Sequence, residues 1–266
     1  LNSAIGSKVA SPKAIMIVAS LGIFVGATFS SGMMEVARKG IFNPELFYFS
    51  EIMVIFLAVM LTDIILLDLF NTFGMPTSTT VSIVFELLGA AVVVAVLKIL
   101  TAGESLTTLS QYINSSSAIG IISGIFISVG VAFLVGAIAM FFSRLLFTFH
   151  YEKRMKWIGT IWSGIALALL SYFLLIKGAK GASFISKEFI QWIGDNAILL
   201  LIVSTIFWTL LMQVLLTVFK QNILRVVVLF GTFSLAMAFA GNDLVNFIGV
   251  PIAGFESYNA WSGSGT

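Results

Sequence analysis

Cysteine is absent from this chain of 266 residues, so disulfide bonds and thiolate metal sites are excluded. Charged residues make up only 10% of the chain, against about 25% in a typical soluble domain. The net charge of +2 is too small to indicate a nucleic-acid partner. The single histidine, His150, lies in a charged loop, and neither an HExxH motif nor a phosphate loop of the GxxxxGK type occurs. We therefore expect no enzyme activity and no cofactor.

Apolar residues, by contrast, dominate the composition: 59% of the chain is hydrophobic and the mean hydropathy is +1.09. The apolar runs are continuous and about 20 residues long, which favours membrane-spanning helices over the alternating strands of a β-barrel. We predict an all-α, multi-pass protein of the cell membrane. The expected spans are 14–34, 46–70, 81–100, 118–149, 157–176, 197–219 and 224–240. The following apolar segment, 241–254, is too short and interrupted to predict a clean span.

A break with many hydroxyl groups separates the second and third spans, where residues 71–82 read NTFGMPTSTTVS. Proline is favoured in the first turn of a helix, so we predict that a new helix starts at Pro76. The free backbone N–H groups of Thr77, Ser78 and Thr79, with their hydroxyls, would then form an anion site of neutral donors. The alternative is an ordinary exposed loop whose Thr and Ser residues cap a helix.

Four acidic residues fall within or near these two spans. A charged group at the bilayer centre costs roughly 2.5–3.5 kcal/mol, so such groups usually face the interior of the helix bundle or a water-filled cavity. Asp63 is surrounded by Leu and Ile, and we predict a functional or network role for it. Glu86 either lines a cavity with the hydroxyl groups or pairs structurally with another helix. Glu51 and Asp68 lie near span ends, where we expect interfacial solvation.

A second polar segment, GNDLVN, begins at Gly241 and carries Asn242, Asp243 and Asn246. One carboxylate with two amide carbonyls suits a hard cation that is bound by oxygen atoms. Together with Gly249, Gly241 would allow the helix to unwind, and unwound carbonyls could add further ligands. The alternative is a helix-ending turn in which Asn and Asp act as caps.

Taken together, these segments resemble the inorganic phosphate transporter (PiT) family, the sodium- or proton-coupled phosphate permeases. AGNDLVNFIGVPIAG (240–254) is similar to the family's GANDVANA-type motif, and PTSTTV (76–81) to its P-x-S-x-T-H hairpin motif. MMEVARKGIF (33–42) is similar to a family stretch that reads like GETIRKGI. The resemblance implies a polytopic helical transporter with inverted repeats and a re-entrant hairpin near 68–82. The usual histidine of the hairpin motif is Val81 here.

The resemblance also implies a division of the chain into three parts. Residues 1–149 would be the first-half repeat without its N-terminal motif, 150–222 connecting transmembrane segments, and 223–266 the start of the second inverted repeat. The missing motif would precede Leu1 and a second hairpin would follow Thr266. We therefore expect a central fragment of a longer protein that shows no uptake by itself.

The function implied by the resemblance is secondary active transport of inorganic phosphate, coupled to Na⁺ or H⁺, by alternating access. The implied phosphate ligands are Thr77, Ser78, Thr79, Thr80 and Asn246. The implied cation ligands are Asn242, Asp243 and Asp63, with Na⁺ at Asp243 and Asn242. Expected partners are phosphate, the coupling ion and membrane lipid, with a homodimer as a candidate assembly. The alternatives are a sulfate or other oxyanion permease and, in another class, a membrane receptor or scaffold that does not transport.

Overall fold

The structure, a computed structural model, describes residues 2–28, 40–147, 154–181 and 186–263. Regular structure in these ranges is helical, apart from an isolated antiparallel bridge between Phe42 and Ile113. In chain order, helices α1 to α10 are Asn2–Gly6, Pro12–Thr28, Phe49–Thr72, Thr79–Ala102, Leu109–Tyr112, Ser115–Leu146, Thr160–Gly181, Lys187–Asp195, Ala197–Thr217 and Ile223–Gly263. Short 3₁₀ turns occur at Pro44–Leu46 and Leu106–Thr108, and a π-helical turn, Met155–Gly159, precedes α7.

Several of these helices have the length and composition of membrane spans. Within the described ranges, six segments qualify: Phe49–Thr72, Thr79–Ala102, Ser115–Leu146, Met155–Ile176, Ala197–Thr217 and Ile223–Gly241. Helix α2 is apolar but shorter, at 17 residues, and the end of its predicted span lies in 29–39, outside the described residues. The prediction of an all-α, multi-pass membrane protein is thus confirmed.

The described chain divides into two compact units. Unit 1 comprises Leu1–Ser31 and Phe133–Gly241, and unit 2 comprises Gly32–Ala132 and Asn242–Thr266. Helices α6 and α10 therefore each contribute one part to each unit. This division follows packing rather than internal repeats, so the three-part repeat organisation stays a prediction.

The core of unit 2 is built around the pair α3 and α4. Ile55 and Val59 of α3 and Leu87 of α4 are almost completely buried, and Val250 and Ala253 of α10 pack into the same cluster. Small residues along α4 let neighbouring helices approach closely, as is common in membrane helix packing. The pair α3–α4 is thereby held on one side by packed apolar side chains.

The core of unit 1 is built around the pair α7 and α9. Leu167, Met212 and Ile223 are buried together there. A polar contact also crosses the pair, since Trp208 Nε1 donates a hydrogen bond to Ser171 Oγ at 2.9 Å. Such bonds between membrane helices contribute modestly, about 0.6 kcal/mol on average. The buried apolar side chains and a satisfied polar contact make this pair a structural element.

Candidate functional site

The break between α3 and α4 is a short turn whose first half is fixed by a helix-ending motif. Met75 N donates to Phe70 O at 2.8 Å and Gly74 N donates to Asn71 O at 3.2 Å. This is the Schellman arrangement, which requires a left-handed residue after the helix end. Gly74 supplies it with φ of +64°. The glycine therefore ends α3 and turns the chain toward α4.

The second helix begins later than the sequence predicted. We expected a start at Pro76, but α4 starts at Thr79 and Ser78 is its N-cap. Ser78 Oγ accepts a hydrogen bond from Val81 N at 3.5 Å, so serine fills the role that suits its side chain best. Pro76 lies in the extended segment before the cap. The donors at the positive end of α4 are consequently the N–H groups of its first turn, which starts at Thr79.

The predicted phosphate ligands of the hairpin divide into two pairs. Thr77 and Ser78 are exposed and line a groove between α3 and α4 with a volume of about 800 Å³. Thr79 and Thr80 are half-buried in the first turn of α4, make other interactions within the protein, and do not line the groove.

Two further hydroxyl residues, Thr62 and Ser82, line this groove, and most of the remaining lining is apolar. Glu86 is the charged residue among its described lining side chains, so no Lys or Arg is available there to neutralise an anion. Hydroxyl and N–H donors at a helix N-terminus can bind an oxyanion without a permanent positive charge. At its hydroxyl-rich end, the groove is thus chemically suited to a small oxyanion.

Sequence reasoning did not assign Ser82 a role, although a signal for it was present. Ser78, Ser82 and Glu86 are spaced four residues apart, and residues at this spacing share one face of a helix. All three line the groove, so this face of α4 forms a polar stripe that runs from the turn toward the interior of the helix. Of the two alternatives for Glu86, the structure supports the cavity.

Glu86 lies at the inner end of this stripe, and α3 carries a second buried carboxyl group, that of Asp63. Asp63 on α3 is 6% exposed, and its Oδ1 has no hydrogen-bond partner. Both carboxyl oxygens of Glu86 on α4 are also buried without a partner. By contrast, Glu51 pairs with Lys98, and Asp68 is exposed near the end of α3.

The predicted cation ligands Asn242, Asp243 and Asn246 lie within α10, and their side chains are outside the described part of the structure. The expectation that Gly241 and Gly249 unwind the helix was wrong, because α10 runs without interruption to Gly263. Residues 241–254, which we did not predict as a clean span, continue α10 as helix, and the last segment with the composition of a span ends at Gly241. Gly241 instead makes a close helix contact, since a Cβ there would lie 3.4 Å from the carbonyl oxygen of Gly26.

Comparison with known proteins identifies the family from almost the whole chain. The model of the phosphate transporter family matches residues 1–265. This chain belongs to the phosphate transporter family. The family predicted from the two polar segments is therefore confirmed, and it is a family of transporters, not of enzymes.

Two archaeal relatives illustrate how much of a family member this chain represents. It is 27% identical over 261 residues to a protein named "putative phosphate permease" from Pyrococcus abyssi (strain GE5 / Orsay). It is 28% identical over 264 residues to a protein of the same description from Thermococcus kodakarensis. Each alignment covers 95% of this chain but 60% of the relative, so the chain spans about three-fifths of their length. No solved structure matches it significantly.

Proposed function

We propose that this chain contributes the first hairpin and the second GND segment to a transporter that moves inorganic phosphate across a membrane by alternating access. The observation that carries the proposal is the groove of α3 and α4, whose hydroxyl groups meet the N-terminus of a membrane-length helix. Membership of the phosphate transporter family and the names of the two relatives support phosphate as the substrate.

The proposed phosphate ligands are neutral donors. Thr77 and Ser78 contribute hydroxyls from the groove, Thr79 and Thr80 are further proposed ligands in the first turn of α4, and Asn246 contributes its side-chain amide. Donors of this kind favour an anion through the positive end of the helix dipole. They leave no permanent positive charge within the membrane once the substrate has gone, which matters because an unpaired buried charge is costly.

The proposed counter-charge is a coupling cation, Na⁺ or H⁺. Asp243 and Asn242 supply oxygen ligands of the kind that Na⁺ favours, and Asp63 is a second cation-binding group. A cation that lowers the cost of placing phosphate in the membrane also raises phosphate affinity, and phosphate raises cation affinity by the same factor. This reciprocity is the thermodynamic requirement for symport.

The experiment that tests the proposal is phosphate uptake by the full-length protein in liposomes under an imposed cation gradient. Asp243→Ala is expected to abolish coupled uptake, because it removes the one carboxylate of the GND segment. Asp195→Ala is the matched control, since Asp195 is exposed at the end of α8. Unchanged uptake in Asp243→Ala would remove the assigned role of Asp243.

Substrate identity requires a separate arm, because hydroxyl and amide donors bind phosphate and sulfate alike. Labelled phosphate uptake is measured with excess unlabelled sulfate or excess unlabelled phosphate. Competition by phosphate alone supports a phosphate transporter. Equal competition by sulfate would show a broader oxyanion permease.

A further inference from the structure

A cavity of about 720 Å³ lies in unit 1 where three segments of membrane-span composition begin or end. The segments Met155–Ile176 and Ile223–Gly241 begin at this cavity, and Ala197–Thr217 ends at it. Because all three spans stop here, the cavity lies at the level of the membrane–water interface. We call it the basic cavity; its polar lining residues are Lys156, Thr217, Lys220, Gln221 and Asn222.

The charge of the basic cavity is positive and is not neutralised within the described part of unit 1. The side chains of Lys156 and Lys220 are exposed and have no ion-pair or hydrogen-bond partner among the described residues. The acidic residues that the structure describes in unit 1, Glu188 and Asp195, both lie on α8. Helix α8 precedes the other end of α9, which has 21 residues and is about 31 Å long. The basic cavity therefore attracts an anion.

Neutral side chains of the basic cavity add hydrogen-bond donors to the two ammonium groups. Asn222 Oδ1 accepts a hydrogen bond from Leu224 N at 3.0 Å, which leaves the Asn222 side-chain NH₂ group available as a donor. Gln221 offers a second NH₂ group from the same turn. Ammonium and amide N–H groups are donors that phosphate oxygens accept, and the bonds to ammonium are the stronger ones. The donor set thus suits a phosphate group.

Apolar surface in and beside the basic cavity favours a lipid over a soluble anion. Met155 and Leu216 line the cavity itself. Trp157 and Phe219, each next in sequence to one of the two lysines, are 68% and 61% exposed. Tryptophan is enriched at the membrane–water interface. A phospholipid would use both surfaces, because its phosphate contacts the lysines while its acyl chains lie along the apolar side chains. Inorganic phosphate would use the lysines alone.

We propose that the basic cavity binds the headgroup of an anionic phospholipid, whose phosphate is held by Lys156 and Lys220. Basic pockets between membrane helices are known to bind anionic lipid headgroups. The proposal does not depend on the proposed phosphate transport, since no residue that lines the groove of α3 and α4 lines this cavity.

The backbone of Lys220 provides a clean variant for the test. Lys220 has a φ of +50°, in the left-handed region that favours glycine. Lys220→Gly therefore removes the ammonium group without a cost to the turn. Lys8 is the other non-glycine residue with positive φ in the described part of the chain, at +53°, and it does not line the basic cavity. Lys8→Gly is thus the matched control.

The proposal is tested by native mass spectrometry of the purified full-length protein in detergent, titrated with phosphatidylglycerol or with phosphatidylcholine of the same acyl chains. The wild type is expected to retain phosphatidylglycerol more tightly. Lys156→Gln and Lys220→Gly should each weaken the first phosphatidylglycerol binding step about fivefold, as expected for one lysine at an anionic membrane surface. Lys8→Gly should bind phosphatidylglycerol as tightly as the wild type.

Two results of this titration would overturn the proposal. One is phosphatidylglycerol binding that neither Lys156→Gln nor Lys220→Gly weakens. The other is equal retention of phosphatidylcholine and phosphatidylglycerol by the wild type. Thermal unfolding of each variant is recorded in parallel, and if one lysine variant fails to fold, the other decides.

Competition with inorganic phosphate separates a lipid site from a site for a free anion. An excess of inorganic phosphate at constant ionic strength is expected to leave phosphatidylglycerol bound, because inorganic phosphate cannot use the apolar side chains. Displacement of the lipid by inorganic phosphate would overturn the lipid assignment. A full-length protein that transports no phosphate would refute the proposed function and leave this titration unaffected.

Discussion

The helix pair α3–α4 in unit 2 and the pair α7–α9 in unit 1 are both apolar and both long enough to cross a membrane, yet they are packed differently. In α7–α9 the helices touch at Gly164, where a Cβ would overlap Thr209 Oγ1 and lie 2.9 Å from the Thr209 nitrogen. In α3–α4 the helices leave a groove of about 800 Å³ beside their packed face.

The polar groups of the two pairs differ in the same way. Trp208 and Ser171 bond to each other across α7–α9, and the Thr160 hydroxyl donates to the carbonyl of Trp157 at 2.8 Å. Ser163 leaves one neutral hydroxyl oxygen unpaired there, whereas Asp63 and Glu86 leave three carboxyl oxygens unpaired in α3–α4. The comparison teaches that α3–α4 keeps unpaired carboxyl oxygens, those of Glu86 beside a cavity, whereas α7–α9 is closed by a small residue at its contact.

The largest effect that we expect is on phosphate affinity, and it is measured by comparing two serine N-caps, one from each unit. Ser78 caps α4 beside the groove, and Ser186 caps α8 by accepting from Phe189 N at 3.2 Å. A hydrogen bond to a charged group contributes about 1.5–3 kcal/mol, so Ser78→Ala should weaken phosphate binding about 10- to 100-fold. Ser186→Ala should cost about 1 kcal/mol of stability and leave phosphate affinity unchanged.

The measurement is equilibrium binding of labelled phosphate to each full-length variant, with thermal unfolding recorded in parallel. If both variants bound phosphate as tightly as the wild type, the groove would lose its assignment as the substrate site. If both variants weakened phosphate binding equally, the effect would come from lost helix capping rather than from a contact to phosphate.

A second contrast uses two glycines and tests packing alone. Gly164→Ala forces a Cβ against the Thr209 backbone, and overpacking of this kind costs about 1 to 3 kcal/mol. Gly89 lies on α4 beside the groove, and a Cβ there meets no atom within 4 Å. Gly89→Ala should therefore stabilise α4 by about 0.5 to 1 kcal/mol, because alanine favours a helix.

Thermal unfolding in detergent gives both values from the same preparation. We expect Gly164→Ala to lower the Tm and Gly89→Ala to raise it. A destabilised Gly89→Ala variant would mean that the groove is filled in solution, and an unaffected Gly164→Ala variant would mean that α7 and α9 separate more easily than their packing indicates.

Much of this architecture could be predicted from the sequence, because continuous apolar runs of membrane length leave few alternatives to helices. Spans predicted at 46–70 and 81–100 correspond to Phe49–Thr72 and Thr79–Ala102. The error at the start of α4 was local: proline is tolerated in a first helical turn, but Ser78 can accept a hydrogen bond from Val81 and therefore caps the helix.

The arrangement of the candidate site was harder to predict, because helices that are apolar all round do not show which face is buried. Asp63 and Asp68 lie on the same helix, yet one is buried and the other exposed. The sequence did not predict that α10 continues past Gly241 and Pro251, for a related reason. Residues that break an isolated helix are tolerated in a membrane where neighbouring groups satisfy or pack against the backbone. Both features depend on tertiary contacts.

The smallest effect that we expect concerns the ion pair between Glu51 and Lys98 in unit 2. Lys98 Nζ lies 2.8 Å from Glu51 Oε2 and 2.9 Å from Leu46 O, and its charge stands 3.9 Å from the centre of the Tyr48 ring. Both side chains of the ion pair are about one-fifth exposed, so solvent screens it in part. Lys98→Met should therefore cost about 1 kcal/mol of stability, near the upper end for partly exposed pairs.

Salt concentration separates this ion pair from the buried carboxyls on the same two helices. The difference in Tm between wild type and Lys98→Met should shrink as salt is raised, because the pair is partly exposed. Lys187→Met, at an exposed position on α8, should show no comparable difference. Phosphate affinity should stay unchanged in Lys98→Met, since Lys98 does not line the groove at Ser78. A loss of phosphate binding in Lys98→Met would instead link the Glu51–Lys98 ion pair to the substrate. It would show that this end of α3–α4 and the turn at Ser78 do not act independently.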